Sequence, residues 1–231
     1  MKHLFKIFAV SIVALLSGCG GGGGGGGAST PTTYPLKSGY TKRVTNGHTA
    51  NYAITADCTG TATFIRDPAG SGMFMGASAV TVSGTDTFST TCPSYSGTTS
   101  STAYFNSAYQ YLGTDIPANT YYTGMVSPLM SVPDTVKVGD SGSLGKEIIY
   151  TNSDRNLYRG EITGRYVVEP DTATTAIVNE IVEIYDYKPN PELVSTRQER
   201  FRIDVNGNIT PISIDSQSNP PGEHLVYTYK P

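Results

Sequence analysis

The dipeptide Asn206-Gly207 stands between two runs, 199–205 and 208–214, in which apolar and polar residues alternate. Asn-Gly suits the tight turns whose two central residues need positive φ, so this is the strongest short-range hairpin signal in the chain. A two-residue turn would set Val205 opposite Asn208, Ile203 opposite Thr210 and Phe201 opposite Ile212, with Arg202 and Asp204 on the other face. One face is then apolar and the other polar, and a slip of one residue would exchange them. A chain with this hairpin is committed to a sheet buried on one side.

The same punctuation recurs along the chain. Strand-like runs at 144–152, 157–169, 174–187, 193–205, 208–215 and 225–229 are each close enough to join the next directly. They predict a curved or partly closed antiparallel meander over 136–231. Within it, Ile177, Ile181 and Ile184 have helical spacing, as do Val178, Val182 and Tyr185, but the density of β-branched residues favours a strand. Upstream, shorter runs at 50–56, 61–65, 79–82, 85–90, 103–112 and 120–126 are separated by turn signals such as Asp67-Pro68, Ser83-Gly84 and Ile116-Pro117. These predict a small β-sandwich over 35–135, with the boundary marked by Pro128, Pro133 and the glycines at 139 and 142. Richness in Thr, Ser, Tyr, Val, Ile and Gly agrees with this reading. The expected fold is all-β: a small disulfide-pinned β-sandwich followed by a curved antiparallel β-meander.

At the amino terminus, Lys2 and Lys6 precede an apolar run at 7–16 that only Ser11 interrupts, and Ser17 and Gly18 follow. That is the layout of an export signal. The run is shorter than the roughly 20 residues a helix needs to cross a hydrocarbon core about 30 Å thick. Leu16-Ser17-Gly18-Cys19 resembles the lipobox of bacterial lipoproteins: a branched apolar residue, two small residues, then cysteine. The resemblance implies a signal peptide at 1–18, cut before Cys19, whose thiol carries a diacylglyceryl group and whose new amino terminus gains a further acyl chain. One chain anchors marginally and two or more anchor stably. Gly20 is compatible with delivery to the outer membrane of a Gram-negative envelope. Gly20 to Gly27 are eight consecutive glycines, and with the small residues after them they predict a lipidated tether over 19–34 with nothing to bury. In such an exported chain Cys58 and Cys92 are an even pair, without CxxC spacing or nearby histidines, and a disulfide is expected.

Loss of the signal leaves 14 basic against 19 acidic residues, a net charge of −5. Nucleic-acid binding, which needs Lys and Arg on phosphates, is therefore not expected. Gly139-Asp140-Ser141-Gly142 imitates a serine-protease nucleophile motif, but Ser143 stands where a glycine would continue it, and His48 lacks the sequence context of a triad base. Asp204, Asn206 and Asn208 alternate like calcium ligands, yet glycine falls at 207 and no glutamate stands at 215. Glu180, Glu183 and Glu192 read as solvated carboxylates, and His48 and His224 as surface histidines. Tyr104, Tyr109, Tyr111, Tyr121 and Tyr122 are candidates for a glycan-binding face.

No catalytic residues, metal site or cofactor are expected. The reading is of a non-enzymatic envelope lipoprotein, held on the membrane through Cys19, that meets an envelope protein or glycan. Its alternatives are a carrier for an apolar ligand cupped by the meander, and a hydrolase whose residues are scattered in sequence.

Overall fold

The computed structural model describes residues 32–92, 95–126, 129, 132–187, 191–219 and 222–231. The signal segment, Cys19 and the glycine run lie outside the described residues. In chain order the elements are β1 (Thr33–Tyr34), α1 (Leu36–Asn46), β2 (His48–Ala56), β3 (Gly60–Arg66), β4 (Gly70–Phe74), β5 (Ala77–Thr90), β6 (Gly97–Phe105), β7 (Tyr111–Ile116), β8 (Tyr121–Met125), β9 (Val136–Lys137), β10 (Ser141–Tyr150), β11 (Tyr158–Pro170), β12 (Thr175–Tyr187), β13 (Pro191–Asp204), β14 (Ile209–Ser218) and β15 (His224–Lys230). The segment with ambiguous spacing is thus the strand β12.

The large sheet runs β3-β2-β15-β14-β13-β12-β11-β10-β8-β7-β6-β5, and β5 then pairs back onto β3 from Gly60↔Thr90 to Arg66↔Gly84. It is a closed antiparallel barrel of twelve strands. β4 is an extra strand along the first part of β5, with Gly70 opposite Thr81. The chain leaves β3 at Asp67-Pro68, where the proline offers no N–H to continue the ladder.

This overturns the expected sandwich followed by a meander. Sequential neighbours do pair as the turn signals imply, but β15 bonds to β2 and β8 bonds to β10. Strands from both sides of residue 135 therefore complete one barrel. Closure pairs N–H and C=O groups that an open sheet would leave exposed along its edges. Hydrophobic alternation reports which face of a strand is buried, and it carries no information about which two edges meet.

The hairpin forms, with a different register. Ile203 lies opposite Ile209 and Phe201 opposite Pro211, with a bulge between Arg200 and Phe201. Three residues make the loop: the Asp204 amide donates to the Asn208 carbonyl at 3.1 Å, and Gly207 alone in the turn has positive φ, at 76°. The cause is the Asp204 side chain. Its Oδ1 accepts from the Asn206 and Asn208 amides at 2.8 and 2.9 Å, and its Oδ2 accepts from Asn208 Nδ2 at 2.8 Å. An aspartate that captures amides ahead of it makes its own turn and overrides the Asn-Gly preference. Phe201 and Ile203 are still fully buried, while Val205 is exposed.

Alternation continues around the barrel. Ala176, Val178, Glu180, Val182 and Ile184 point inward from β12, and Val82, Asp86 and Phe88 from β5. Thr61, Ser83, Thr87, Ser89, Arg165, Arg200 and Arg202 are exposed on the outside. Arg202 meets Asp171, Arg200 meets Glu169, and Lys146 meets Glu161 there. A lipid-facing barrel has the reverse pattern, with apolar residues outward.

Cys58, after β2, is disulfide-bonded to Cys92, after β5, with Cα atoms 5.7 Å apart. The bond belongs to the cluster that also holds Ile54, Phe88 and Leu225. It closes a loop with a sequence separation of 34 that contains the β3–β5 closure itself. Replacing both cysteines, Cys58→Ala with Cys92→Ala, is expected to lower stability by about 3–4 kcal/mol on loop-entropy arithmetic. Urea unfolding measures this, and a midpoint equal to that of the oxidised parent protein would refute it.

Candidate functional site

A barrel of about eight strands is just wide enough for inward side chains to meet. Twelve strands leave room, and three packed clusters take part of it. One gathers Leu144, Tyr166, Val168, Val178, Phe201 and Ile203, together with Tyr34 and Leu36 from the amino-terminal segment. A second contains Tyr52, Ile54, Phe64, Phe88 and Tyr227, and a third Ile116, Tyr121, Ile149, Ile162, Val182 and Ile184. Between α1 and the inner faces of β2, β3, β5, β6 and β7 there remains a cavity of about 370 Å³.

α1 does not appear among the sequence expectations, although Leu36, Tyr40 and Val44 recur at i, i+4 and i+8, which places them on one helical face. Gly47 ends the helix at φ 65° and turns the chain into β2. The helix lies against the β13–β14 turn. A Cβ on Gly39 would stand 2.8 Å from the Gly207 carbonyl oxygen, so only glycine permits this approach. The Tyr40 ring meets Phe201 edge-on at 5.7 Å, and Lys42 Nζ donates to the Asn206 carbonyl at 2.7 Å. The hairpin turn is thereby the seat on which α1 rests.

The cavity has apolar walls from Tyr40, Val44, Ala50, Phe64, Val82, Ala103, Phe105 and Leu144, and a polar part built from side chains on facing strands. His48 pairs with Arg66 across β2 and β3. Arg66 forks onto Asp86, at 2.5 and 3.2 Å. Arg43 Nη2 donates to His48 Nε2 at 3.1 Å and lies 3.8 Å from Glu199 Oε1. Since arginine only donates, Nε2 must be the bare nitrogen of His48. The hydrogen is then on Nδ1, which is buried with no partner. Burial, followed by the charges of Arg43 and Arg66, lowers the His48 pKa to about 3, so the ring is neutral.

Glu180 and Glu199 face each other directly across β12 and β13. Like charges in that position repel unless one is neutralised. Glu199 has the arginines: Arg197 Nη2 donates to it at 3.3 Å, and Arg43 approaches from α1. Glu180 is 4% exposed, and its Oε1 has no hydrogen-bond partner. Burial, then the Glu199 charge, pushes its pKa well above the carboxylate range, so Glu180 carries the proton.

A second polar group borders the cavity at Tyr111. Its hydroxyl lies 2.6 Å from Thr114 Oγ1 and donates to Glu147 Oε2 at 3.2 Å. The Thr114 amide donates to Thr123 Oγ1 at 2.9 Å. Burial raises the Glu147 pKa from 4.5 to about 7, against the opposing hydrogen bonds from Thr123 and Tyr111.

The structure redistributes the residues singled out from sequence. His48 and Glu180, expected at the surface, line the cavity, because their positions in β2 and β12 put them on inward faces. Glu183 points outward toward Arg165 and Tyr185, Glu192 is exposed, and His224 Nε2 meets Asp215 at 2.9 Å. The five tyrosines share no face. Tyr109 and Tyr111 line the cavity, Tyr121 is in the third cluster, and the Tyr104 hydroxyl bonds Asp115. Asp140 accepts the Lys137 amide in the turn before β10, and the Asp204 oxygens are taken up by the hairpin turn. Cys58 and Cys92 do not line the cavity. Among the described residues, no three His, Cys, Asp or Glu side chains gather as metal ligands. Arg43, Arg197 and Glu199 were not singled out, since a paired charge inside a barrel has the sequence signature of one outside it.

No protein family and no curated protein matches this chain. Among solved structures, a candidate exported protein with a YmcC-like fold from Bacteroides fragilis is similar at 14% identity and a TM-score of 0.36, over 87% of this chain and 98% of that one. So loose a likeness carries no argument, and the barrel described above rests on its own hydrogen-bond ladder.

Glu147 gives this interior a measurable pH signature. Its folded-state pKa is raised, so its contribution to stability is complete below about 4.5 and is lost as pH rises through about 7. Across that window the protein should lose roughly 3 kcal/mol through this group, at about 1.36 kcal/mol per pKa unit. Glu147→Gln should flatten the profile. Urea midpoints taken from pH 4.5 to 8 test this, and parallel profiles for the two proteins would contradict it.

Proposed function

We propose that this chain is a lipid-anchored envelope protein, not an enzyme, whose barrel holds one small amphipathic molecule in its lumen. The observation that carries this reading is the cavity of about 370 Å³ with apolar walls and a polar part. Small-molecule sites have this character: a concave space of about 300–1,000 Å³, mostly apolar, with a few placed polar groups. The inner face of 136–231, the cup in the sequence reading, is largely covered by the first and third clusters. The space opens instead against β2 to β7, beneath α1. Binding without turnover accords with a lining whose charges are engaged with one another, Arg66 with Asp86 and Arg197 with Glu199. The anchor is the acylated Cys19 at the end of the glycine run, delivered to the outer membrane, and its support is the lipobox-like order Leu16-Ser17-Gly18-Cys19.

Residues 32–231 contain every strand of the barrel and suit a direct test. The neutral fluorescent probe N-phenylnaphthylamine should bind saturably at one site, with enhanced emission. Ala103→Trp, which fills the cavity from β6, should abolish the enhancement while the circular dichroism spectrum is kept. Unsaturable binding, or equal binding by the filled variant, would sink the proposal.

The anchor is tested separately in cells. The full chain should incorporate labelled palmitate and partition with membranes, and Cys19→Ser should lose both. A variant that remains labelled would remove Cys19 from this role.

A further inference from the structure

Six of the described residues lining the cavity carry rings, and five of those rings are matched with another ring. Tyr40 meets Phe201 edge-on, Tyr52 and Phe64 lie 5.1 Å apart, and Phe105 meets Tyr111 at 5.7 Å. Tyr109 is the exception. Among the described residues its ring meets no other ring and its hydroxyl no hydrogen-bond partner. Its side chain is half-buried and lines the cavity, so the ring is accessible to an occupant.

The backbone makes a tyrosine costly at this position. Tyr109 stands at φ 58°, a left-handed conformation that suits glycine or asparagine and is an outlier for a bulky side chain. The β6–β7 turn enforces it. Asn106 Oδ1 accepts from the Ala108 and Gln110 amides, each at 2.9 Å, and Asn106 Nδ2 donates to Gln110 Oε1 at 2.8 Å. The Tyr109 amide donates to the Asn106 carbonyl at 2.9 Å. The turn is thus held by Asn106 and the backbone, with nothing from the Tyr109 side chain. What tyrosine adds there is a ring on the cavity wall. Backbone strain that the surroundings over-determine in this way clusters at ligand clamps and active sites.

Resting on the lumenal-binding reading, we infer that the occupant carries a planar aromatic ring, and that Tyr109 is the specificity-determining side chain on which this ring stacks. Phe105 and Tyr111, at the two ends of the same turn, extend the aromatic wall. A saturated chain would gain only buried area from these side chains, and any apolar residue of similar size would serve it as well. An aromatic ring gains in addition the offset or edge-on attraction between π systems.

Two alcohols with the same fused ten-carbon skeleton separate the two cases: 2-naphthol, which is aromatic, and decahydro-2-naphthol, which is saturated. Calorimetric titration into residues 32–231 at pH 7.5 should show 2-naphthol binding about three- to tenfold more tightly. Tyr109→Leu, which keeps an apolar side chain at the same φ, should narrow the gap to within about twofold and leave the affinity for decahydro-2-naphthol unchanged. Tyr109→Phe, which keeps the ring, should keep the parent preference. If Tyr109→Leu does not fold, the parent protein's order of the two alcohols decides alone. Equal affinities in the parent protein, or a gap that persists in Tyr109→Leu, overturn this inference and leave the cavity reading standing. If N-phenylnaphthylamine does not bind either, that reading falls and this one with it.

Discussion

The pairing of β3 with β5 is the interaction on which the rest of the molecule depends. Seven residue pairs, Gly60↔Thr90 to Arg66↔Gly84, turn a long twisted sheet into a tube. The disulfide from Cys58 to Cys92 fastens the ends of the same two-strand unit. Two glycines allow the close approach: a Cβ on Gly60 would stand 2.0 Å from the Ser89 carbonyl oxygen, and one on Gly84 would meet Ser101 and the Arg66 guanidinium. Once the tube is closed at twelve strands, its width is set, and its interior is too broad to be filled from the wall alone. The helix and the lumenal cavity are both answers to that width.

Electrostatics inside the tube follow from the same geometry. Inward positions that would ordinarily be apolar hold Arg66, Asp86, Glu147, Glu180, Arg197 and Glu199. Burying charges costs several kcal/mol per ion unless geometry and hydrogen bonds compensate. Part of the compensation follows from position: with Phe64 opposite Asp86, Arg66 two residues on reaches the Asp86 carboxylate, and Arg197 two residues before Glu199 on β13 reaches that one. Where the register places two acids together, the pair resolves by protonating Glu180 and giving the arginines to Glu199. Such an interior adds little net stability compared with an apolar one.

Local structure was legible in the sequence to the extent that local forces decide it. The strands at 50–56, 61–65, 144–152 and 208–215 are present because alternation and β-branching act within a few residues. The Asn206-Gly207 hairpin was legible as a hairpin, but not its register, which the Asp204 carboxylate sets through amides two and four residues ahead. Helix α1 was hidden because Gly39 and three β-branched or hydroxylated neighbours, Thr41, Val44 and Thr45, weaken its intrinsic propensity. Packing on Phe201 and Gly207 stabilises it instead. The cavity was hidden for a stronger reason. Arg43 and His48 lie five residues apart, whereas Glu180 and Glu199 come from the far half of the chain, and only closure of the barrel makes them neighbours of one space.

The chain's beginning ties the proposed anchor to the cavity. From Thr33 the chain pairs with Lys137 as β1, buries Tyr34 and Leu36 in the first cluster, and continues directly into α1, which supplies Tyr40, Arg43 and Val44 to the cavity. On the proposed lipidation at Cys19, the link from the lipid to β1 is the glycine-rich segment alone. At about 5–6 Å times the square root of its residue number, its span is on the order of 20 Å. On that proposal the tether leads through β1 into the helix that lines the cavity. Helix α1 is held there by Leu36 in the first cluster, Gly39 against Gly207, Tyr40 on Phe201, Lys42 on Asn206 and Arg43 on His48. The element whose intrinsic helix propensity is weak is thus fixed by tertiary contacts, and these set Tyr40, Arg43 and Val44 against the cavity.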